Sequence, residues 1–567
     1  MFEKDNKNHI VFKIIFALII LVWSFGVARY GYPVDENGLL TIYKGVFQGQ
    51  RMFIDSWESL QTGGLLAYPL LALYYYVLSP LFASASINVG LVLYMRYCYL
   101  TVRALVAIYL FIAIKNSKYE SGAYPAALFY FMFVIGWKDF SYKSYCDIAI
   151  MLIVCFMFRF YQERKAVYAA LTGVAVCIAV LAYPTMIIMA VLLGIFWLCI
   201  AVKDEGPWAC FISYLAVCFI IGIAVVSYLQ FTSGWGNIIA ELVNFGDQDY
   251  DDPIYIRLGK LLASYGAFAV VAYFPILVIN LIGKLNGIAE ETERFILTLY
   301  FIIVMGGIFA LRIESISDSR FVYGMLILFF WFPYFMRDKE EHAYIKIGSY
   351  SNIDKEGKNV LWVVFGISIA AQLIWSLSTN QGISVPGYMT LYTVIALILL
   401  FADEDVDYKG MNVVLILLAM FFNGIWVSDS NGGFCNVFEP MIYTAEGELK
   451  GVALPLDEYE MNEAVLGLLD GNVTADDKLL VAFGANSTGY INSEATQGTY
   501  SVYARTQVNT KLMDYYELHP ENMADYMLLD KGHVKYERFL ENETGKYLLS
   551  IYTNEVASDG NFVLLSR

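Results

Sequence analysis

Charge is what this chain has least of. Asp, Glu, Lys and Arg together make up 16% of its 567 residues, while 58% are apolar; a soluble domain carries about 25% charged residues. Such a chain cannot clothe one globular surface in polar groups. Dense basic stretches are also missing, and a net charge of −16 excludes nucleic acid, whose phosphates need clustered Lys and Arg. Cysteines number eight, and those such as Cys98, Cys155, Cys177 and Cys218 lie inside apolar runs. Only Cys435 falls in the polar tail, so neither a disulfide framework nor a zinc spacing is present. Lys4, Lys7 and Lys13 precede the apolar run Ile14–Ala28, but Arg29-Tyr30-Gly31-Tyr32 is no cleavage site for a signal peptide. The run therefore reads as a retained helix. Internal repeats and low-complexity segments are lacking too.

What the chain does have is a series of uncharged runs between Val11 and Val427, each close to bilayer-spanning length. Cytoplasmic loops collect Lys and Arg. The basic clusters are the N-terminus, Lys115 and Lys118, Arg159 with Arg164 and Lys165, and the segment from Arg337 to Lys358. All four fall inside only if Leu65–Phe82 does not cross, so 65–82 is expected to lie along the outer interface. The crossings are then 11–29, 88–114, 122–137, 147–160, 166–182, 184–202, 208–229, 260–283, 294–311, 321–336, 358–377, 387–402 and 411–427. That makes about thirteen spans, an odd number, which puts the N-terminus inside and the tail outside. The expected fold is an α-helical polytopic membrane protein, with 1–427 as the bundle and 428–567 as an extracytoplasmic α/β domain. The expected location is a bacterial cytoplasmic membrane. In the tail, Lys478–Phe483 and Ala524–Leu529 read as strands and Asn509–Leu518 as a helix.

The most informative stretch follows the first helix. Tyr32-Pro33-Val34-Asp35-Glu36-Asn37-Gly38 puts two carboxylates where the chain emerges, and a short amphipathic segment, Leu39–Phe47, comes next. Gly49-Gln50-Arg51-Met52-Phe53-Ile54-Asp55, then Ser56-Trp57-Glu58 and Gln61-Thr62-Gly63-Gly64, complete an outer loop over 29–64. Arg96 lies in the next crossing, about nineteen residues before Lys115, and Arg320-Phe321 opens a helix containing Pro333.

This order resembles the membrane-embedded glycosyltransferases of the GT-C fold, in particular the protein-mannosyltransferase and aminoarabinose-transferase branch. The resemblance spans roughly residues 10–340. It departs from the family at Thr62-Gly63-Gly64, where a proline pair is usual, and at Tyr183-Pro184, where a lysine is common.

The resemblance implies an inverting transferase that moves a hexose from a polyprenyl-phosphate donor to an envelope acceptor (glycan, lipid or protein). A carboxylate must take the acceptor proton, and cations must stabilise the departing phosphate. Asp35 is the expected base. Glu36 is expected to orient the acceptor or help hold a divalent cation such as Mg or Mn. Arg96, Arg312 and Arg320 are expected to clamp phosphate, and Asp55, Trp57 and Asp139 to bind acceptor or sugar.

Plainer readings stand beside these. An acidic pair after a helix is most often a solvated loop. Arg96 and Arg103, seven apart on one helix face, pair with a loop carboxylate nearly as readily as with phosphate. Lys138, Asp139 and Lys143 suit a solvated loop, and so do Asp247, Asp249, Asp251 and Asp252, which lack the glycine and distal glutamate of an EF-hand. The rival classes are a transporter or flippase of lipid-linked saccharides, and a non-catalytic envelope assembly protein. Transporters show inverted repeats and broken mid-membrane helices, neither of which is visible in the sequence.

Overall fold

The computed structural model describes residues 2–31, 34–58, 60–134, 138–203, 206–245, 253–286, 290–310, 319–336, 355–378, 382–402, 426–428, 434–484 and 486–567. Among them, eight helices are long and apolar enough to cross a membrane, and four shorter apolar helices accompany them. In chain order the helices begin with α1 (Phe2–Val27), α2 (Val34–Phe47), α3 (Gly64–Leu73), α4 (Ser79–Ser84) and α5 (Leu91–Lys115). They continue with α6 (Glu120–Met132), α7 (Tyr142–Glu163), α8 (Ala166–Ala182), α9 (Ile187–Val202), α10 (Trp208–Thr232) and α11 (Trp235–Phe245). The bundle closes with α12 (Ile254–Asn286), α13 (Glu290–Ala310), α14 (Ser319–Phe335), α15 (Lys355–Ser378), α16 (Ser384–Gly387) and α17 (Leu391–Phe401).

Two sides of the bundle are fixed by contacts between helix ends. On the side of residues 29–64, the Ala453 amide donates to the Arg29 carbonyl (2.7 Å) and the Gly90 amide to the Lys450 carbonyl (2.7 Å). On the far side, Tyr124 Oη donates to the Lys13 carbonyl (2.7 Å) and Gln162 Nε2 to the Ala113 carbonyl (2.8 Å). Tyr183, in extended backbone, separates α8 from a 3-10 turn and α9. Trp197 near the end of α9 meets Phe160 of α7 on the far side, so α8 and α9 are two antiparallel helices and not one kinked helix.

Gln61–Ser84 is long and apolar enough to cross, yet both its ends are tied to the C-terminal domain. Before it, the Trp57 amide donates to the Tyr500 carbonyl; after it, the Gly90 and Val92 amides donate to Lys450 and Glu448 carbonyls. A helix that crossed would separate its ends by about 30 Å. Of the expected spans, 411–427 lies outside the described residues except for Trp426 and Val427, which open the short strand β1 (Trp426–Ser428).

One polar knot holds the middle of the bundle. Helix α6 stops at Met132 and leaves carbonyls that no water can reach in a membrane. The Arg103 guanidinium of α5, fully buried, donates to the carbonyls of Phe131 (3.1 Å), Tyr130 (2.5 Å) and Phe133. It also pairs with Asp147 of α7, whose other oxygen accepts from Tyr392 Oη of α17 at 3.1 Å. Four helices thus share a single buried ion pair.

The C-terminal domain is α/β. Its strands are β2 (Phe434–Asn436), β3 (Ile442–Tyr443), β4 (Ala453–Leu454), β5 (Lys478–Val481), β6 (Thr496–Gln497), β7 (Tyr526–Asp530), β8 (Asn554–Asp559) and β9 (Phe562–Ser566). Five of them form a sheet in the order β6-β5-β7-β9-β8. β5 is parallel to β6 and β7, and β9 runs antiparallel to β7 and β8. Strands β5 and β7 fall where the sequence placed them, as does the helix Lys511–Leu518. Leu480, Met527, Leu529 and Leu565 pack in a core that also takes in Trp57 from the first loop.

Candidate functional site

Asp35 and Glu36 occupy the first turn of α2, where the helix dipole favours negative charge, and they part company there. Asp35 is exposed. Glu36 turns inward, 2% exposed, and accepts from Arg96 Nε (2.6 Å) and Nη2 (2.5 Å) in a two-pronged pair. The remaining Arg96 donors reach the carbonyls of Ala28 (2.9 Å), Gly31 (2.9 Å) and, more weakly, Tyr30 (3.5 Å). Arg96 was expected to clamp a phosphate. Instead it is 3% exposed and engaged on each nitrogen, binding the end of α1 to the start of α2. A buried guanidinium needs such a full set of acceptors to offset its desolvation.

The C-terminal domain reaches the same spot. Tyr503 Oη donates to the Asp35 carbonyl at 3.2 Å. It can do so because residue 38 is glycine: a Cβ there would stand 2.2 Å from that hydroxyl. The second loop arrives from the other direction. Asp139 is buried beside Glu36, and burial, followed by the Glu36 charge, pushes its carboxyl up to about 8. Burial and the Arg96 charge pull the half-buried Lys138 amine down to about 7. Asp139, Glu36, Tyr43 and Phe140 line a small cavity. Among the described residues, the buried hydroxyls of Tyr43 and Tyr145 have no hydrogen-bond partner. Tyr145 stacks on Phe140 at 5.0 Å, so the second unpartnered hydroxyl belongs to the same aromatic group.

A second acidic centre lies behind the first loop. The Val502 amide donates to Glu58 Oε1 (2.8 Å), and Gln61 Nε2 sits 3.4 Å from both Glu241 oxygens. Burial pushes Glu58 up to about 7. Burial and the Glu58 charge push Glu241 of α11 up to about 9. Neither acid was assigned a role from sequence.

Asp55 and Trp57 are where the first loop joins the C-terminal domain. Asp55 pairs with Arg51 (2.8 Å) and accepts from Asn522 Nδ2 (3.3 Å). Burial alone would raise Asp55, but the Arg51 contacts outweigh it and hold the carboxyl below its usual range. Trp57 is 3% exposed and meets Tyr515 edge-on at 5.0 Å. The acceptor role expected of these two gives way to docking, because a sugar would have to displace the domain to reach them. At the other end of α2, the buried Lys44 ammonium donates to the carbonyls of Ile491 and Ser493, each at 2.9 Å.

Arg312 lies outside the described residues, as do the acidic positions Asp247, Asp249, Asp251 and Asp252. Arg320 is in α14, but its side chain is not among those described. Among the described residues, no three His, Cys, Asp or Glu side chains converge as a metal site requires.

No family model matches the chain, and no curated protein does. Among solved structures it is similar to the crystal structure of ArnT from Cupriavidus metallidurans in the apo state. Identity is 12%, with 99% of this chain and 98% of that chain covered and a TM-score of 0.43. The same protein bound to undecaprenyl phosphate gives 11% identity, the same coverage and a TM-score of 0.43. At that TM-score the likeness carries neither the fold nor the chemistry.

Proposed function

We propose that this protein is a membrane glycosyltransferase of GT-C type. It moves a sugar from a polyprenyl-phosphate donor to an envelope acceptor on the outer side of a bacterial cytoplasmic membrane. The observation that carries the reading is the split of the acidic pair: Glu36 is consumed by Arg96, while its neighbour Asp35 stays exposed on a helix start held by Arg96 and by Tyr503. Fixing the backbone and freeing one carboxylate is what a general base needs.

In this scheme an acceptor hydroxyl attacks the anomeric carbon. Asp35 takes its proton as the new carbon–oxygen bond forms. The bond from that carbon to the phosphate oxygen breaks, and the polyprenyl phosphate leaves with the electron pair, so the configuration inverts. Arg312 and Arg320 keep the donor-phosphate role that the resemblance gives them. Arg96 and Glu36 are positioning residues. Asp139, 5% exposed in the small cavity beside Glu36, is a positioning residue as well and touches no sugar.

The test is transfer by the purified protein. Polyprenyl-phosphate donors carrying a labelled mannose, glucose or aminoarabinose are offered with envelope glycan, lipid and protein fractions, and the label is followed from lipid to acceptor. Transfer from one donor supports the reading. If no donor is used, and vesicles containing the protein instead move lipid-linked saccharide across the bilayer, the transporter reading replaces it.

A further inference from the structure

One long groove among the described residues belongs to neither acidic centre. It runs along α1, has a volume of about 1030 Å³, and is closed at one end by Arg29, Tyr30, Tyr97 and Tyr443. Helix α1 packs one face on the bundle, where Ile20 is 2% exposed, and leaves the other face open. Its Lys13 carbonyl accepts from Tyr124 of α6, and its last residues are held by Arg96 and by the ring of Tyr97, 5.5 Å from Phe25. Between these props the side chains of Leu18, Ile19 and Val22 are left more than half exposed. The wall extends from Ile15 to Val27, which at about 1.5 Å per residue is about 18 Å. One leaflet of a bilayer core is about 15 Å deep. The groove is therefore about one leaflet deep along α1, and its mouth lies at headgroup level.

The mouth has the opposite character. The exposed Arg29 donates through Nε to Tyr97 Oη at 2.9 Å, and among the described residues nothing else engages its guanidinium. Tyr30 and Tyr443 hydroxyls touch at 3.1 Å beside it. No carboxylate lines the groove among the described residues. An arginine and three phenols over an apolar trough one leaflet deep offer N–H and O–H donors to an anion whose tail lies in hydrocarbon.

We propose that this groove holds one anionic glycerophospholipid from the leaflet on the 29–64 side. Its phosphate lies on the Arg29 guanidinium and its acyl chain along α1. Guanidinium matches phosphate oxygens in pairs, and anionic headgroups are drawn to basic residues at the membrane surface. The depth favours a two-chain phospholipid over a polyprenyl phosphate, whose longer chain would overrun a single leaflet. The site is independent of sugar transfer and requires only that the bundle be embedded.

The test uses the full chain reconstituted in nanodiscs of equimolar phosphatidylglycerol and phosphatidylcholine, released into mild detergent and weighed by native mass spectrometry. The unmodified protein and Asp35→Asn should each retain one phosphatidylglycerol. Arg29→Gln should retain about tenfold less, the loss of one two-pronged phosphate contact. Val22→Trp, which fills the trough and leaves Arg29 in place, should displace the lipid as well. Melting temperatures within about 1 °C of the unmodified protein identify the variants that fold. Equal retention by folded Arg29→Gln overturns the proposal, as does retention of phosphatidylcholine to the same extent. So does displacement of phosphatidylglycerol by undecaprenyl phosphate at equal mole fraction.

Discussion

Replacing Arg96 by leucine separates a positioning role from a phosphate clamp. Arg96 and Glu36 are 3% and 2% exposed, so water cannot take over what the pair loses. Leucine removes both N–H contacts to Glu36 and the two good contacts to the Ala28 and Gly31 carbonyls, each 2.9 Å. Breaking a buried pair by deleting one partner costs about 3–5 kcal/mol. The single variant should therefore unfold about 3–5 kcal/mol more easily in a detergent-denaturation titration. Glu36→Leu should lose a similar amount for the mirror-image reason. The double variant buries no uncompensated charge and should be more stable than the sum of the two losses by about 1–3 kcal/mol. If both singles stay within about 0.5 kcal/mol of the unmodified protein, as ordinary surface changes do, and donor KM alone rises, the pair is not structural. Arg96 then returns to phosphate.

Three further outcomes follow from the same geometry. Gly38→Ala puts a methyl 2.2 Å from Tyr503 Oη; transfer should fall severalfold and recover in Gly38→Ala with Tyr503→Ala, and no loss in the single variant would detach Tyr503 from the site. Trp57→Ala empties a slot in the C-terminal domain's core and should cost about 3–5 kcal/mol, with the first loop becoming open to trypsin at Arg51; an unchanged digestion pattern would refute the docking role. Stability should fall as pH rises from about 5 to 7. Glu58, Asp139 and Glu241 have folded pKa values of about 7, 8 and 9, against ordinary values of 4.5, 3.8 and 4.5, so the folded state holds protons that the unfolded chain has already lost. Above pH 7 the lowered Lys138 works with the opposite sign and flattens the fall; a melting temperature that rises between pH 5 and 7, or a Glu241→Gln variant with an undiminished slope, would contradict this.

The bundle was legible because each span must satisfy its own backbone in lipid, which forces long uncharged runs that composition cannot hide. The same rule marks Arg96 and Arg103 as residues needing partners, since charge within a span is costly. It does not say which partners. Glu36 is 60 residues from Arg96, and Asp147 is 44 from Arg103; pairings of that range leave no local signal. Glu58 and Glu241 were missed for the same reason. Each reads alone as a solvated acid, and only folding brings both against Gln61 and the C-terminal domain. Trp57 looked like a sugar platform because an exposed loop is where such a residue is expected. Its partners, Tyr500 and Tyr515, lie more than 400 residues away. The hairpin of β8 and β9 escaped because Asn554–Asp559 is largely exposed and carries little apolar alternation.

The central claim is that Asp35 takes the acceptor's proton, and turnover of Asp35→Asn tests it most directly. The substitution keeps the size of the side chain, and the Asp35 carbonyl that receives Tyr503 is unchanged, so the melting temperature should match that of the unmodified protein. With both proteins folded, and with a donor the unmodified protein uses, kcat should drop by about 10²–10⁴, the usual cost of losing a general base. Near-normal turnover by the folded variant would contradict the account and return Asp35 to a solvated helix start.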